Sequence, residues 1–111
     1  MARVVYLVSD LLFVSKIRET AQTLGIELES CRTPDKLAAA AASAKLVIVD
    51  LRRPDALQVL SALPAGVPSV GFIDHERVEV MEEARARGCR AYAKGKFASE
   101  LPALIAGLLS E

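Results

Sequence analysis

Runs of β-branched residues alternate five times with stretches of helical periodicity, and few folds satisfy that alternation. The strands must run parallel, with helices packed on both faces of one sheet. The runs are Arg3-Val4-Val5-Tyr6-Leu7-Val8, a weaker one from Ile26 to Cys31, Leu46-Val47-Ile48-Val49, Pro68-Ser69-Val70-Gly71-Phe72-Ile73, and Arg90-Ala91-Tyr92-Ala93. The first leads through Ser9 to Asp10, the third ends at Asp50, the fourth at Asp74, and the last runs into Lys94-Gly95-Lys96. In open parallel sheets ligands collect beyond the carboxyl ends of the strands, so residues delivered there are site candidates.

The intervening segments predict helices. Val14, Ile17, Ala21 and Leu24 recur at steps of three and four, giving the first helix one apolar face, and Gly25 stops it. Thr33-Pro34 reads as a cap with proline at the first helical position, opening an alanine-rich helix through Ser43. Pro54-Asp55 does the same for a short helix through Leu63. A fourth helix is predicted from His75 to Arg87, ended by Gly88. A fifth is capped by Ser99, with Pro102 in its first turn and Leu101, Leu104, Ile105 and Leu108 on one face.

With 111 residues the chain is read as a single domain over 1–111, large enough to bury its own core. Fourteen basic residues balance fourteen acidic ones, so no positive field argues for nucleic acid. No apolar stretch approaches a membrane span, and no signal peptide is visible. Cys31 and Cys89 close the second strand and open the fifth. In the flavodoxin-like order 2-1-3-4-5 those are opposite edges of the sheet, so the two thiols cannot pair, and both are read as reduced in a cytoplasmic protein. No phosphate-binding glycine loop follows a strand and no serine sits in a nucleophile elbow. The single histidine, His75, is read as a surface or cap residue, and the chain is not expected to be an enzyme.

That strand order makes the first and third strands neighbours where the winding reverses, so Asp10 and Asp50 face one crevice. Two convergent carboxylates are costly without a cation between them. Magnesium is one solution, since it takes carboxylate oxygens and waters. Arg52 or Arg53, in the loop after Asp50, is the other. Asp50 alone also fits an Asx-turn at a strand end.

Val8-Ser9-Asp10, Val47-Ile48-Val49-Asp50-Leu51-Arg52-Arg53-Pro54, and Gly88-Cys89-Arg90-Ala91-Tyr92 into Phe97 together resemble a response-regulator receiver domain of the CheY-like type, over the whole chain. The resemblance implies Asp50 as acceptor of a phosphoryl group from a histidine kinase, Asp10 and Asp50 as ligands of a weak magnesium site, Tyr92 as the switch aromatic, and Lys94 and Lys96 as candidates for phosphate contact. It also exposes departures. Ser9 stands where the family has a first acid. Ile73 stands where it has a hydroxyl, followed by Asp74. Gly95 stands where it has lysine, and Lys96 where it has a proline after a cis bond. A non-proline cis bond costs about 2.5–4 kcal/mol, so a trans link and a reshaped loop are expected. Strand alternation would aim Lys94 and Lys96 away from the site unless a bulge intervenes.

The sequence is therefore read as a degenerate receiver, a pseudo-receiver: a stand-alone signalling module that works through protein contact and requires no cofactor, magnesium being the one ion its site would take. The alternative is a phosphorylatable single-domain response regulator in a two-component phosphorelay, with Asp50 as acceptor. A third reading is a cation-selective crevice lined by Asp10, Asp50 and Asp74. Leu11, Leu12 and Phe13, beside the site, are candidate contact residues for a histidine kinase or another signalling protein. Val78 and Met81, among the charges of the fourth helix, are a second candidate surface, where the family forms homodimers through helix four, strand five and helix five.

Overall fold

The computed structural model describes residues 3–110. Five parallel strands form one sheet in the order β2-β1-β3-β4-β5. They are β1 (Arg3–Leu7), β2 (Glu27–Ser30), β3 (Leu46–Asp50), β4 (Ser69–Ile73) and β5 (Cys89–Ala93). Helices α1 (Leu11–Leu24), α2 (Pro34–Ala41), α3 (Ala56–Ser61), α4 (Val78–Ala86) and α5 (Lys94–Ala106) follow them in turn, and a 3-10 turn, Gly107–Ser110, closes the chain. The three-layer, flavodoxin-like architecture expected from the alternation is what the chain adopts.

Every residue of β3 and β4 is buried, which explains their unbroken apolar runs. Alternate side chains feed two separate cores. On one face Val5, Leu7, Val47, Val49 and Ile73 pack with Leu37 of α2, Val59 and Leu60 of α3, and Met81 and Ala84 of α4. On the other, Val4, Tyr6, Ile48, Val70 and Phe72 pack with Phe13, Ile17 and Ala21 of α1 and with Phe97, Leu101 and Ile105 of α5. The second core holds all three phenylalanines of the chain as one stack. The Phe72 centroid is 4.3 Å from Phe13 and 4.8 Å from Phe97.

Gly25 ends α1 in the left-handed conformation at φ 69°, as anticipated, and the Ile26 N–H returns to the Ala21 carbonyl. Thr33 caps α2 by accepting from the Lys36 N–H at 3.2 Å. Three other helix starts differ from expectation. Asp55 makes no side-chain cap for α3, because its carboxylate is held by Arg53. Helix α4 begins at Val78 and not His75, since the chain first makes a turn in which the Arg77 N–H donates to the Asp74 carbonyl at 3.0 Å. Helix α5 begins at Lys94, directly off β5, with Ala93 as its cap residue. Ser99 therefore lies inside the helix, its hydroxyl donating to the Lys96 carbonyl, and Pro102 falls in the helix body.

Gly71 on β4 shapes the route out of β3. Leu51, the residue after Asp50, drops into the space a side chain at Gly71 would need, and a Cβ there would fall 2.6 Å from Leu51 Cγ. Gly71→Ala is expected to lower stability by about 1–3 kcal/mol through overpacking, read as a reduced urea midpoint at unchanged slope. A midpoint equal to that of the native chain would show that Leu51 yields freely.

Cys31 and Cys89 are buried free thiols at the two ends of the sheet order, with no disulfide between them. Among the described residues, no helix is long and apolar enough to cross a membrane.

Candidate functional site

Strand β3 carries Asp50 to its last position, where the side chain keeps only 6% exposure. Asp50 Oδ1 accepts the backbone N–H of Arg52 at 2.9 Å, an Asx-turn, so the plain structural role of this residue is present. The same turn folds the Arg52 side chain back. Its Nε donates to Asp50 Oδ1 at 2.9 Å and its Nη2 to Asp50 Oδ2 at 2.8 Å. Nη2 also reaches Asp10 Oδ2 at 3.1 Å. Of the two cations in this loop, Arg52 joins the carboxylates, while Arg53 turns away and forms a bidentate pair with Asp55 at 2.8 and 3.0 Å.

Asp10 is the N-cap of α1. Its Oδ1 accepts from the N–H groups of Leu12 at 2.9 Å and Phe13 at 3.3 Å, leaving Oδ2 for Arg52. Hydrogen bonding from Arg52, opposed by partial burial and aided by the two backbone donors, holds the Asp10 carboxyl below the usual carboxylate range. Arg52 in turn is held charged by Asp50 and Asp10. The guanidinium lies over an aromatic shelf, 5.3 Å from the Phe72 centroid and 6.0 Å from that of Phe13. One arginine therefore ties the start of α1, the end of β3 and the phenylalanine stack together.

Asp10, Asp50 and Asp74 do not form a three-acid metal site among the described residues. Asp74 has its own partner, Lys94 Nζ at 2.8 Å, which pulls its carboxyl below the usual range. Lys94 reaches this rim because β5 becomes α5 at that residue. The strand-alternation argument that aimed it away from the site therefore does not apply. Lys96, two residues further along α5, is exposed and takes part in no ion pair among the described residues. The link through Lys94, Gly95 and Lys96 is trans, as expected, since the described residues contain no cis peptide bond.

The donor set does not suit magnesium. All four oxygens of Asp10 and Asp50 already accept hydrogen bonds from Arg52 or from backbone N–H groups, and a fixed positive charge lies between them. Ser9, exposed at the strand end, adds no carboxylate. Among the described residues, no group of three or more His, Cys, Asp or Glu is arranged to hold a metal ion.

Two further placements concern residues singled out in the sequence. Tyr92 pairs in register with Phe72 and packs with the α1/α5 core, while Ile73 pairs with Ala93 and is buried on the opposite face. Ile73 carries no hydroxyl to which Tyr92 could couple. Of the apolar contact candidates, Leu11 and Leu12 are 81% and 65% exposed, and Val78 is 49% exposed. Phe13 and Met81 are buried. Phe13 is drawn into the phenylalanine stack, and Met81 lies under α4 against the sheet. The Lys94–Asp74 pair and the aromatic shelf under Arg52 went unseen in the sequence. The first lacked a signal because no loop residue marks the β5–α5 junction, but the three phenylalanines were available as a clue.

No family model matches the chain, and no curated protein does. Solved structures match over nearly its full length. A response regulator from Hahella chejuensis aligns with a TM-score of 0.79 at 22% identity, covering 99% of this chain and 96% of that one. The chemotaxis response regulator CheY4 of Vibrio cholerae gives 0.75 at 19%, covering 97% and 98%. A CheY-like protein, tadZ, from Pseudomonas aeruginosa gives 0.74 at 18%, covering 97% and 99%. Over its described residues the chain has the CheY-like receiver fold.

Proposed function

We propose that this chain is a receiver-like signalling module that acts by presenting a protein surface and not by accepting a phosphoryl group or catalysing a reaction. The observation that carries this reading is Arg52, whose guanidinium bridges Asp10 and Asp50 at 3.1 and 2.8 Å in the place where phosphoryl chemistry needs a metal. Ile73, fully buried, offers no hydroxyl to a phosphoryl oxygen. Beside this closed site, Leu11 and Leu12 form an apolar step on the first turn of α1, held in place by the Asp10 cap. Exposed leucines next to each other at a well-anchored helix start are suited to dock another protein, a histidine kinase or another signalling partner. Self-association through α4, β5 and α5 would rest on Val78 and the surrounding charges, with Met81 buried beneath them.

A second reading, phosphorylation at Asp50, is favoured by one feature: Lys94 stands at the rim, paired with Asp74. The two readings separate on treatment of the native chain with acetyl phosphate and magnesium. The contact reading expects no labelling, and amide spectra unchanged by beryllium fluoride. Labelling that Asp50→Asn removes would establish the second reading instead.

The surface has its own test. A Leu11→Ser, Leu12→Ser double variant is expected to keep the native circular dichroism and melting temperature, since both side chains face solvent, while losing capture of the partner by at least about ten-fold. Full capture by the folded variant would remove this surface from the proposal.

A further inference from the structure

We infer that Arg52 is a tethered replacement for the divalent cation, and that this chain's crevice is refractory to metal because its own guanidinium closes it. Two carboxylates delivered to one crevice by β1 and β3 need positive charge between them. Here that charge is covalently attached two residues after Asp50, pre-bent by the Asx-turn and supported from below by Phe72 at 5.3 Å. A planar fork with several donors spans two acceptors at once, which Arg52 does through Nη2. Unlike an ion, it is not lost on dilution or to a chelator.

The replacement alters what the site responds to. A metal site couples the state of the crevice to ion and phosphoryl supply. The ion triad of Asp10, Asp50 and Arg52 couples it only to the chain's own fold. Because Asp10 is also the cap of α1, Arg52 acts as a positioning residue for the Leu11–Leu12 step, fixing it to the end of β3 whatever the magnesium concentration.

The inference rests on the reading of the crevice as a site that does not switch, and the experiment separates the two. Backbone amide spectra of the native chain, Arg52→Met and Arg52→Gln are recorded during titration with magnesium chloride, alongside thermal melts with magnesium or with chelator. The native chain is expected to show no shift at Leu12, Phe13, Leu51 or Arg52 and no change in melting temperature. In the variants the two carboxylates are uncovered, and magnesium is expected to bind about ten-fold or more tightly than to the native chain. Magnesium shifts at those amides in the native chain would overturn the inference. So would folded variants that stay silent, since something other than Arg52 would then exclude the metal. Should neither variant fold, Arg52→Lys takes their place in the same titration: magnesium shifts in that chain and none in the native one support the inference, and shifts in the native chain or silence in both end it. Phosphoryl labelling of Asp50 sinks the contact reading, whereas silent variants sink only the role of Arg52.

Discussion

Phe97→Ala is expected to destabilise the domain by about 3–5 kcal/mol, the largest loss of any single truncation argued from this structure. Phe97 is fully buried on α5 and stacks on Phe72 at 4.8 Å, with Phe13 of α1 at 5.8 Å. Its ring is the point where two helices and the sheet meet, so alanine removes both the buried area and the ring-on-ring contacts, and the neighbours cannot close the void without moving a helix. Against a typical total of about 5–15 kcal/mol, such a variant would sit close to unfolding at room temperature. Urea denaturation followed by circular dichroism measures it. A loss below about 1.5 kcal/mol would mean that α5 collapses onto Phe72 more readily than close packing allows.

Arg52→Met is expected to cost about 3 kcal/mol at neutral pH, the lower end for breaking a buried ion pair, because the Arg52 side chain retains 29% exposure. Methionine keeps the apolar contact with Phe72 but leaves Asp50, nearly enclosed, with the backbone N–H of residue 52 as its remaining donor in this loop. Asp50→Asn should cost less, since it removes a charge and keeps an acceptor for the Asx-turn. A smaller loss for Arg52→Met than for Asp50→Asn would contradict the description of Arg52 as the group that offsets two carboxylates.

Acid titration adds an independent mark of the same triad. Asp10 is depressed when folded, so the stability it contributes is present above its unfolded value and is lost as pH falls through the folded value, below about pH 4. Asp55 and Asp74, lowered by Arg53 and Lys94, lose their contributions in the same window. The Arg52→Met chain keeps only the part of the Asp10 share that the Leu12 and Phe13 N–H groups supply, and its stability should fall less steeply through that range.

Much of this architecture was legible in the residues because β3 and β4 are buried on both sides and must be apolar throughout, leaving Asp50 conspicuous at the end of Leu46-Val47-Ile48-Val49. The meeting of Asp10 and Asp50 followed from strand order, and the need for a cation from electrostatics. Which cation was not legible, because Arg52 and Arg53 are adjacent and only the Asx-turn decides which one folds inward. Phe13 was misplaced for a related reason. The stripe of α1 runs through Phe13, Ile17 and Ala21, while Val14 and Leu24 lie at its half-buried margins, so the periodicity counted from Val14 finds Ile17 and Ala21 but takes the wrong residue of the first turn. Met81 hid among charges on a helix whose buried side is only Met81 and Ala84. The start of α5 had no punctuation to read, since no turn separates it from β5.

The two unpaired cysteines make the native chain its own stopwatch for local opening. Burial pushes the Cys89 thiol up to about 11 and raises Cys31 as well, against weaker opposing pulls from nearby groups. Both side chains are buried and disfavoured as thiolates, so an alkylating reagent reaches them when the backbone parts. Because one thiol follows β2 and the other begins β5, their alkylation rates clock the fraying of the two rims of the sheet separately, with no label introduced and no residue changed.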